Sequence, residues 1–175
     1  ALQFGARTLA RRRLERSDID GRRHLVDRHR KPPPPVRMFV DGAGNVGLEK
    51  LHSLLSNSPE AKITIVAPEV KEEVRRLVCK YPSCTIVQKE FEESDLDNKE
   101  IIILATDNKA LHIRIKEIAV QRKILVNVAD TPDLCDFYLG SIVQKGYLKL
   151  AISTNGMSPT IAKRIKEILN EVFPE

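Results

Sequence analysis

The stretch VRMFVDGAGNVGLEKLHSLLSN, residues 36–57, decides the fold. It opens on VRMFV, a short apolar run suited to a buried strand over 36–40. Gly42, Gly44 and Gly47 follow in G-x-G-x-x-G spacing. Beyond them Val46, Leu48, Leu51 and Leu54 or Leu55 recur at helical intervals, which leaves Glu49, Lys50 and His52 nearer solvent. Strand, glycine turn and helix in that order head a βαβ unit.

Working outward, further β-branched runs stand at 63–66 (ITIV), 84–88 (CTIVQ), 100–106 (EIIILAT), 124–128 (ILVNV) and 148–154 (LKLAIST). Helical patterns lie between and after them, at 68–81, 107–122 and 158–173. Such alternation predicts parallel strands with right-handed crossovers, an α/β, Rossmann-like doubly wound sheet. Asp107 is placed to cap the helix that opens at Asn108, and Ser158 the helix that starts with Pro159. The segment VQKEFEESDLDNKE (87–100) reads as a polar, solvated linker, and no internal repeat or domain-dividing linker lies within 36–156.

In this setting each glycine has a task. Gly42 permits the tight turn, Gly44 lets backbone N–H groups approach a pyrophosphate, and Gly47 lets the helix pack on its strand. The helix beginning near Asn45 adds unpaired N–H groups and a partial positive charge. Two residues fit less well. Glu69 is the nearest acid to grip a ribose, but it lies beyond the strand tip, and Asp41 stands where a buried apolar residue is expected. A carboxylate there repels a nearby pyrophosphate and weakens dinucleotide binding. No Arg follows the second strand closely enough to hold a 2′-phosphate, though this alone does not settle NAD against NADP.

The formal charge of +5 is uneven. Residues 1–35 hold ten Lys/Arg against four Asp/Glu, leaving 19 against 20 for the rest. This arm, with Arg11, Arg12, Arg13 and four consecutive prolines, reads as a poorly ordered, solvated extension. Its acidic residues argue against an organelle transit peptide, and no aromatic is interleaved with the arginines to stack a base, so nucleic acid is not the expected partner. No window approaches the roughly 18 apolar residues of a membrane span. Cys79, Cys84 and Cys135 form no disulfide framework and no C-x-x-C, which suits a reducing cytoplasm. With His24, His29, His52 and His112 scattered, no permanent metal site is expected.

The run ILVNVADTPDLCDF (124–137) ends in Asp130, at the strand end where such sheets keep their ligand crevice. Together with GAGNVGLEK, ITIVAPE, LATDNKALH, LGSIVQKGYLKLAIST and NGMSPTIAKRIKEIL, it resembles the precorrin-2 dehydrogenase and sirohydrochlorin ferrochelatase family of siroheme synthesis, over about residues 38–172. The resemblance implies NAD-dependent oxidation of precorrin-2 to sirohydrochlorin, with ferrous iron as a further substrate where the same protein inserts the metal. It makes Asp130 the catalytic carboxylate, able to take the proton lost with a hydride. The alternative for Asp130 is a cap or turn residue ahead of Thr131-Pro132.

On the same resemblance, nucleotide contacts fall on Asn45, Val46, Pro68 and Glu69. Thr106 and Asp107 either border the nicotinamide or cap the next helix. Ser153, Thr154, Asn155 and Ser158, before the last helix, offer donors to a carboxylate-rich tetrapyrrole. Lys163 and Arg164 either assist them or form a solvated basic face. Cys135 reads as a small packing residue, and His112, where the family usually has Asn, has no assigned role. The family lead L-x-G-R is approached by IDGRRHLV but stands apart from the glycines, and the longer helical tail and fused methyltransferase of relatives lie outside this sequence. The expected organisation is a basic arm (1–35), an NAD-binding domain (36–129) and a dimerisation and substrate-binding extension (130–175) of a homodimer. A non-catalytic sensor of NAD or a tetrapyrrole, and an arm that tethers nucleic acid, are the competing readings.

Overall fold

A computed structural model describes residues 34–146 and 148–173. Apart from Pro34 and Pro35, the arm expected over 1–35 lies outside the described residues. From there the chain runs β1 Arg37–Ala43, α1 Asn45–Asn57, β2 Lys62–Val70, α2 Glu72–Val78, β3 Cys84–Val87, β4 Ile101–Leu104, α3 Lys109–Arg122 and β5 Leu125–Val128. These five strands form one parallel sheet in the order β3-β2-β1-β4-β5. The chain starts at the centre, lays two strands to one side, then returns and lays two to the other. The reversal between β1 and β4 makes this the doubly wound, Rossmann-like arrangement that the alternation predicts.

Burial follows from the topology. β1 from Met38 to Ala43 and the whole of β4 are buried, as strands covered on both faces must be. Phe39, Val66, Ile102, Leu104 and Val126 of the sheet pack with Ile115 and Ala119 of α3 in one core cluster. The acidic segment after β3 is less solvated than its composition predicts. Leu96 is fully buried there, and the Phe91 ring meets Phe39 edge-on at 5.8 Å, so two apolar residues pin an otherwise polar linker.

Other expectations need correction. β2 continues to Val70, so Pro68 and Glu69 are strand residues and α2 starts only at Glu72. Pro68 is tolerated because pairing with β3 ends at Val66, leaving no ladder partner that needs its missing N–H. LKLAIST does not join the parallel sheet. Leu148–Ile152 (β7) pairs antiparallel with a strand the pattern missed, Ser141–Lys145 (β6). Lys145 faces Leu148 across a two-residue connection whose first residue, Gly146, has φ +52, as tight hairpins demand. The last helix, α4 (Pro159–Val172), packs on this hairpin.

The open edge of β5 is covered by the segment that follows Asp130. Asp136 donates its N–H to Val126 O at 2.8 Å and accepts the Val126 N–H on Oδ2 at 2.9 Å. Its other oxygen takes Lys116 Nζ at 2.6 Å. Among the described residues no helix is long and apolar enough to cross a membrane.

Candidate functional site

Register brings the site together. Asp41, Leu104 and Val128 stand in line across β1, β4 and β5. Gly42 lies one residue beyond that line, and Thr106 and Asp130 two residues beyond it. All three therefore emerge at the same carboxyl edge, with β5 roughly 10 Å from β1 at the usual strand spacing.

The glycine loop is built against the end of β4. Gly42 has φ +101, and a Cβ there would sit 2.9 Å from the Ala105 carbonyl and from Thr106 Cγ2. A Cβ at Gly47 would collide with Gly42 O, so α1 is seated directly on the turn. Gly44 differs: nothing lies within 4 Å of its Cβ position, and no side chain caps the helix that starts at Asn45. The loop thus closes inward at Gly42 and Gly47 and opens outward at Gly44, Asn45 and Val46, a cradle that fits a phosphate chain.

Beneath the loop lies a polar contact that the sequence reading only half anticipates. Asp41 is 3% exposed, and Thr106 Oγ1 donates to its Oδ2 at 3.1 Å. The same hydroxyl stands 2.9 Å from Nε2 of His112, itself 2% exposed. Burial pushes the Asp41 carboxyl up to about 6; the Thr106 hydrogen bond opposes this and Glu90 adds to it. Burial likewise pushes His112 down, against the pull of Asp107. Thr106 is therefore tied into the floor of the loop, and His112 gains a place at the site. Asp107 is exposed and does not cap α3; Asn108 does, accepting the Leu111 N–H at 3.1 Å.

The tip of β2 carries more cation than expected. Pro68 and Glu69 are exposed, and Pro68 O accepts from Gln88 Nε2 at 3.0 Å. Gln88 Oε1 in turn takes Arg75 Nη2 at 2.6 Å, which brings a guanidinium within one side chain of the tip. Lys71 reaches Asn45 Oδ1 with its ammonium at 2.5 Å and bonds Ala43 O through its N–H. Neither residue was legible from spacing, because both contacts depend on the path of the chain after β2, which lays α2 against α1 and β3.

Asp130 is exposed and left-handed, with φ +56, a conformation Asp tolerates better than most residues. It does not cap the next short turn, Pro132–Leu134; Thr131 occupies that position. Among the described residues nothing hydrogen-bonds its carboxylate. Cys135 fixes the turn from below, its Sγ accepting Val128 N–H and donating to Val128 O, both at 3.2 Å. Cys135 also packs against the core cluster, the role expected of it, and these hydrogen bonds come in addition.

The loop before α4 holds itself with its own hydroxyls. Ser153 Oγ accepts from Asn155 N, Thr154 Oγ1 from Ser158 N, and Ser158 Oγ from Ile161 N at the helix cap. Each hydroxyl still has its O–H to donate. Tyr138 links this loop to the Asp130 turn: its ring carbon lies 3.1 Å from the Cβ position of Gly156 and its phenol donates to Pro132 O at 3.4 Å. Lys163 and Arg164 are exposed, and Arg164 pairs with Glu167. Among the described residues no cluster of three His, Cys, Asp or Glu could hold a metal ion.

A family model described as "Putative NAD(P)-binding" matches residues 35–141, and another, "Sirohaem biosynthesis protein central", matches residues 145–171. The siroheme synthase of Pseudoalteromonas atlantica is 37% identical over 140 residues, 80% of this chain. The solved structure of SirC, precorrin-2 dehydrogenase, is 31% identical with a TM-score of 0.67, covering 80% of this chain and 67% of that one. The chain belongs to the siroheme synthase and precorrin-2 dehydrogenase family.

The two family models adjoin across β6, so the first takes in the parallel sheet with the Asp130 turn and the second takes in β7 and most of α4. The chain spans about 30% of the length of the siroheme synthases it matches. It covers 30% of the P. atlantica protein and 27% of the one from Thioalkalivibrio sulfidiphilus, which is 33% identical over 136 residues, 78% of this chain.

Proposed function

We propose that this chain dehydrogenates precorrin-2 to sirohydrochlorin with NAD as the electron acceptor, at the carboxyl edge of its sheet. The observation that carries the reading is the common edge shared by the glycine cradle, Thr106 and the unengaged Asp130 carboxylate. The open face at Gly44 and the uncapped start of α1 fit the pyrophosphate, with Asn45 and Val46 beside it and Pro68 and Glu69 toward the ribose. When bound there, NAD supplies the hydride acceptor. Asp130 takes the proton that the macrocycle loses as the hydride leaves, so two electrons and two hydrogens are accounted for. Ser153, Thr154, Asn155 and Ser158 donate to substrate carboxylates, and Thr106 and Asp107 border the cofactor. Ferrous iron, where inserted, is a substrate whose entry requires loss of pyrrole protons, for which Asp130 is the available base.

Residues 36–129 act as the nucleotide domain and 130–175 as the substrate and dimer extension. The homodimer reading rests on α4, where Ile161, Ile165, Ile168 and Val172 form one exposed apolar face, with Met157 87% exposed beside its start. Free Cys79, Cys84 and Cys135 suit a cytoplasmic setting. A second reading, a non-catalytic sensor of NAD or tetrapyrrole, draws on Asp41, whose buried carboxyl lies under the cradle. Anaerobic incubation with precorrin-2 and NAD separates the two. NADH appearing together with the sirohydrochlorin spectrum supports the enzyme, whereas saturable binding without NADH supports the sensor.

A further inference from the structure

The reaction above leaves the buried contact under the glycine loop unused. Thr106 Oγ1 lies 3.1 Å from Asp41 Oδ2 and 2.9 Å from His112 Nε2. A hydroxyl carries one proton and can donate to only one of these neighbours at a time. With Asp41 ionised, Thr106 donates to Asp41 and His112 must offer an N–H at Nε2. With Asp41 protonated at Oδ2, the carboxyl donates to Thr106, Thr106 donates to His112, and Nε2 must be bare with the imidazole proton on Nδ1. Passing from the first arrangement to the second takes one proton from solvent and exchanges the histidine tautomer. Only O–H and N–H bonds change.

This pair of states is coupled to the loop by position. Asp41 directly precedes Gly42, and the Thr106 methyl is 2.9 Å from where a Gly42 Cβ would be. A dianionic pyrophosphate above the loop disfavours the ionised carboxylate below it. We propose that Asp41, Thr106 and His112 form a reversible hydrogen-bond chain beneath the glycine loop, turned round by the single proton that an incoming pyrophosphate-bearing dinucleotide draws onto Asp41. Asp41 and His112 are then positioning residues that act through Thr106, and the coupling rests on the dinucleotide reading given above.

Glu90, from the loop after β3, pushes Asp41 toward the neutral form, as burial does. Asp107, at the start of the α3 turn, favours a charged His112, but burial outweighs it. Glu69 and Lys71, of opposite sign, stand where β2 runs beside the loop, the latter on Asn45. With its carboxyl near 6, Asp41 is ionised in the free protein at pH 7.5 and within easy reach of protonation. Dinucleotide binding then takes up part of a proton at pH 7.5, nearing one between the free and bound midpoints, where affinity rises up to about tenfold per pH unit as pH falls.

The test is nitrogen NMR of the His112 ring in the full chain between pH 5 and 8.5, free and with saturating NAD. In the free protein Nε2 should pass from N–H to bare as pH falls through about 6. NAD should raise that midpoint by roughly one unit or more, and calorimetry in two buffers of different ionisation enthalpy should report proton uptake at pH 7.5. Thr106→Val should freeze the tautomer. A wild-type His112 with one tautomer at every pH overturns the chain. NAD that binds with no midpoint shift and no proton uptake overturns the coupling. A tautomer change in the free protein with no NAD binding at any pH upholds the chain and removes the dinucleotide reading instead.

Discussion

Replacing Asp41 by Asn should make the protein more stable at neutral pH and leave it little changed in acid. The folded carboxyl sits near 6 against 3.8 for an unperturbed group, chiefly because it is buried. The folded state therefore holds this proton more tightly than the unfolded chain does. The resulting stability is fully present below 3.8 and is lost as pH rises through about 6. At about 1.4 kcal/mol per pKa unit, the wild type gives up at most about 3 kcal/mol across that interval. Asn cannot ionise, and its carbonyl keeps an acceptor for the Thr106 hydroxyl. Urea unfolding followed by far-UV circular dichroism, apt for a chain with no tryptophan, would be run on both proteins from pH 4 to 8. Subtracting one from the other cancels the remaining carboxylates. The variant's advantage should grow through pH 4 to 7 and then level off. A difference independent of pH, or one favouring the wild type as pH rises, refutes the reasoning.

The inner and outer faces of the loop should respond differently to one added methyl. Gly42→Ala places a Cβ at φ +101 against backbone and should cost roughly 1–3 kcal/mol in urea melts, whereas Gly44→Ala should melt like the wild type yet bind NAD more weakly by calorimetry. Cys135→Ala leaves the Val128 N–H without its sulfur acceptor and should cost about 1–3 kcal/mol, with Cys135→Ser restoring much of the loss. The double change Ile165→Glu with Ile168→Glu should convert a dimer to a monomer in sedimentation velocity without altering NAD binding; a variant that stays dimeric removes α4 from the interface.

The parallel sheet was legible because its strands are short, apolar and spaced by helical patterns, and register then delivered Gly42, Thr106 and Asp130 to one edge without further help. β6 is not legible because SIVQK is mostly half-exposed, so no burial period marks it. Asp41 looked anomalous in sequence, but its partner Thr106 is 65 positions away, and only the β1–β4 pairing brings them together. His112 shares a helical face with Ile115 and Ala119, so burial could be read from the pattern while its hydrogen bond could not. The contacts of Lys71 and Arg75 are hidden from the sequence for the same reason. Their reach to Asn45 and Gln88 is set by the path of the chain after β2.

In the function we propose, Asp130 removes a proton from a tetrapyrrole held beside bound NAD. Single-turnover NADH formation from precorrin-2 under anaerobic conditions tests it most directly, with wild type and Asp130→Ala compared at saturating NAD. NAD binding should be unchanged and the rate about 100-fold or more lower in the variant. Equal rates in the two proteins would contradict it.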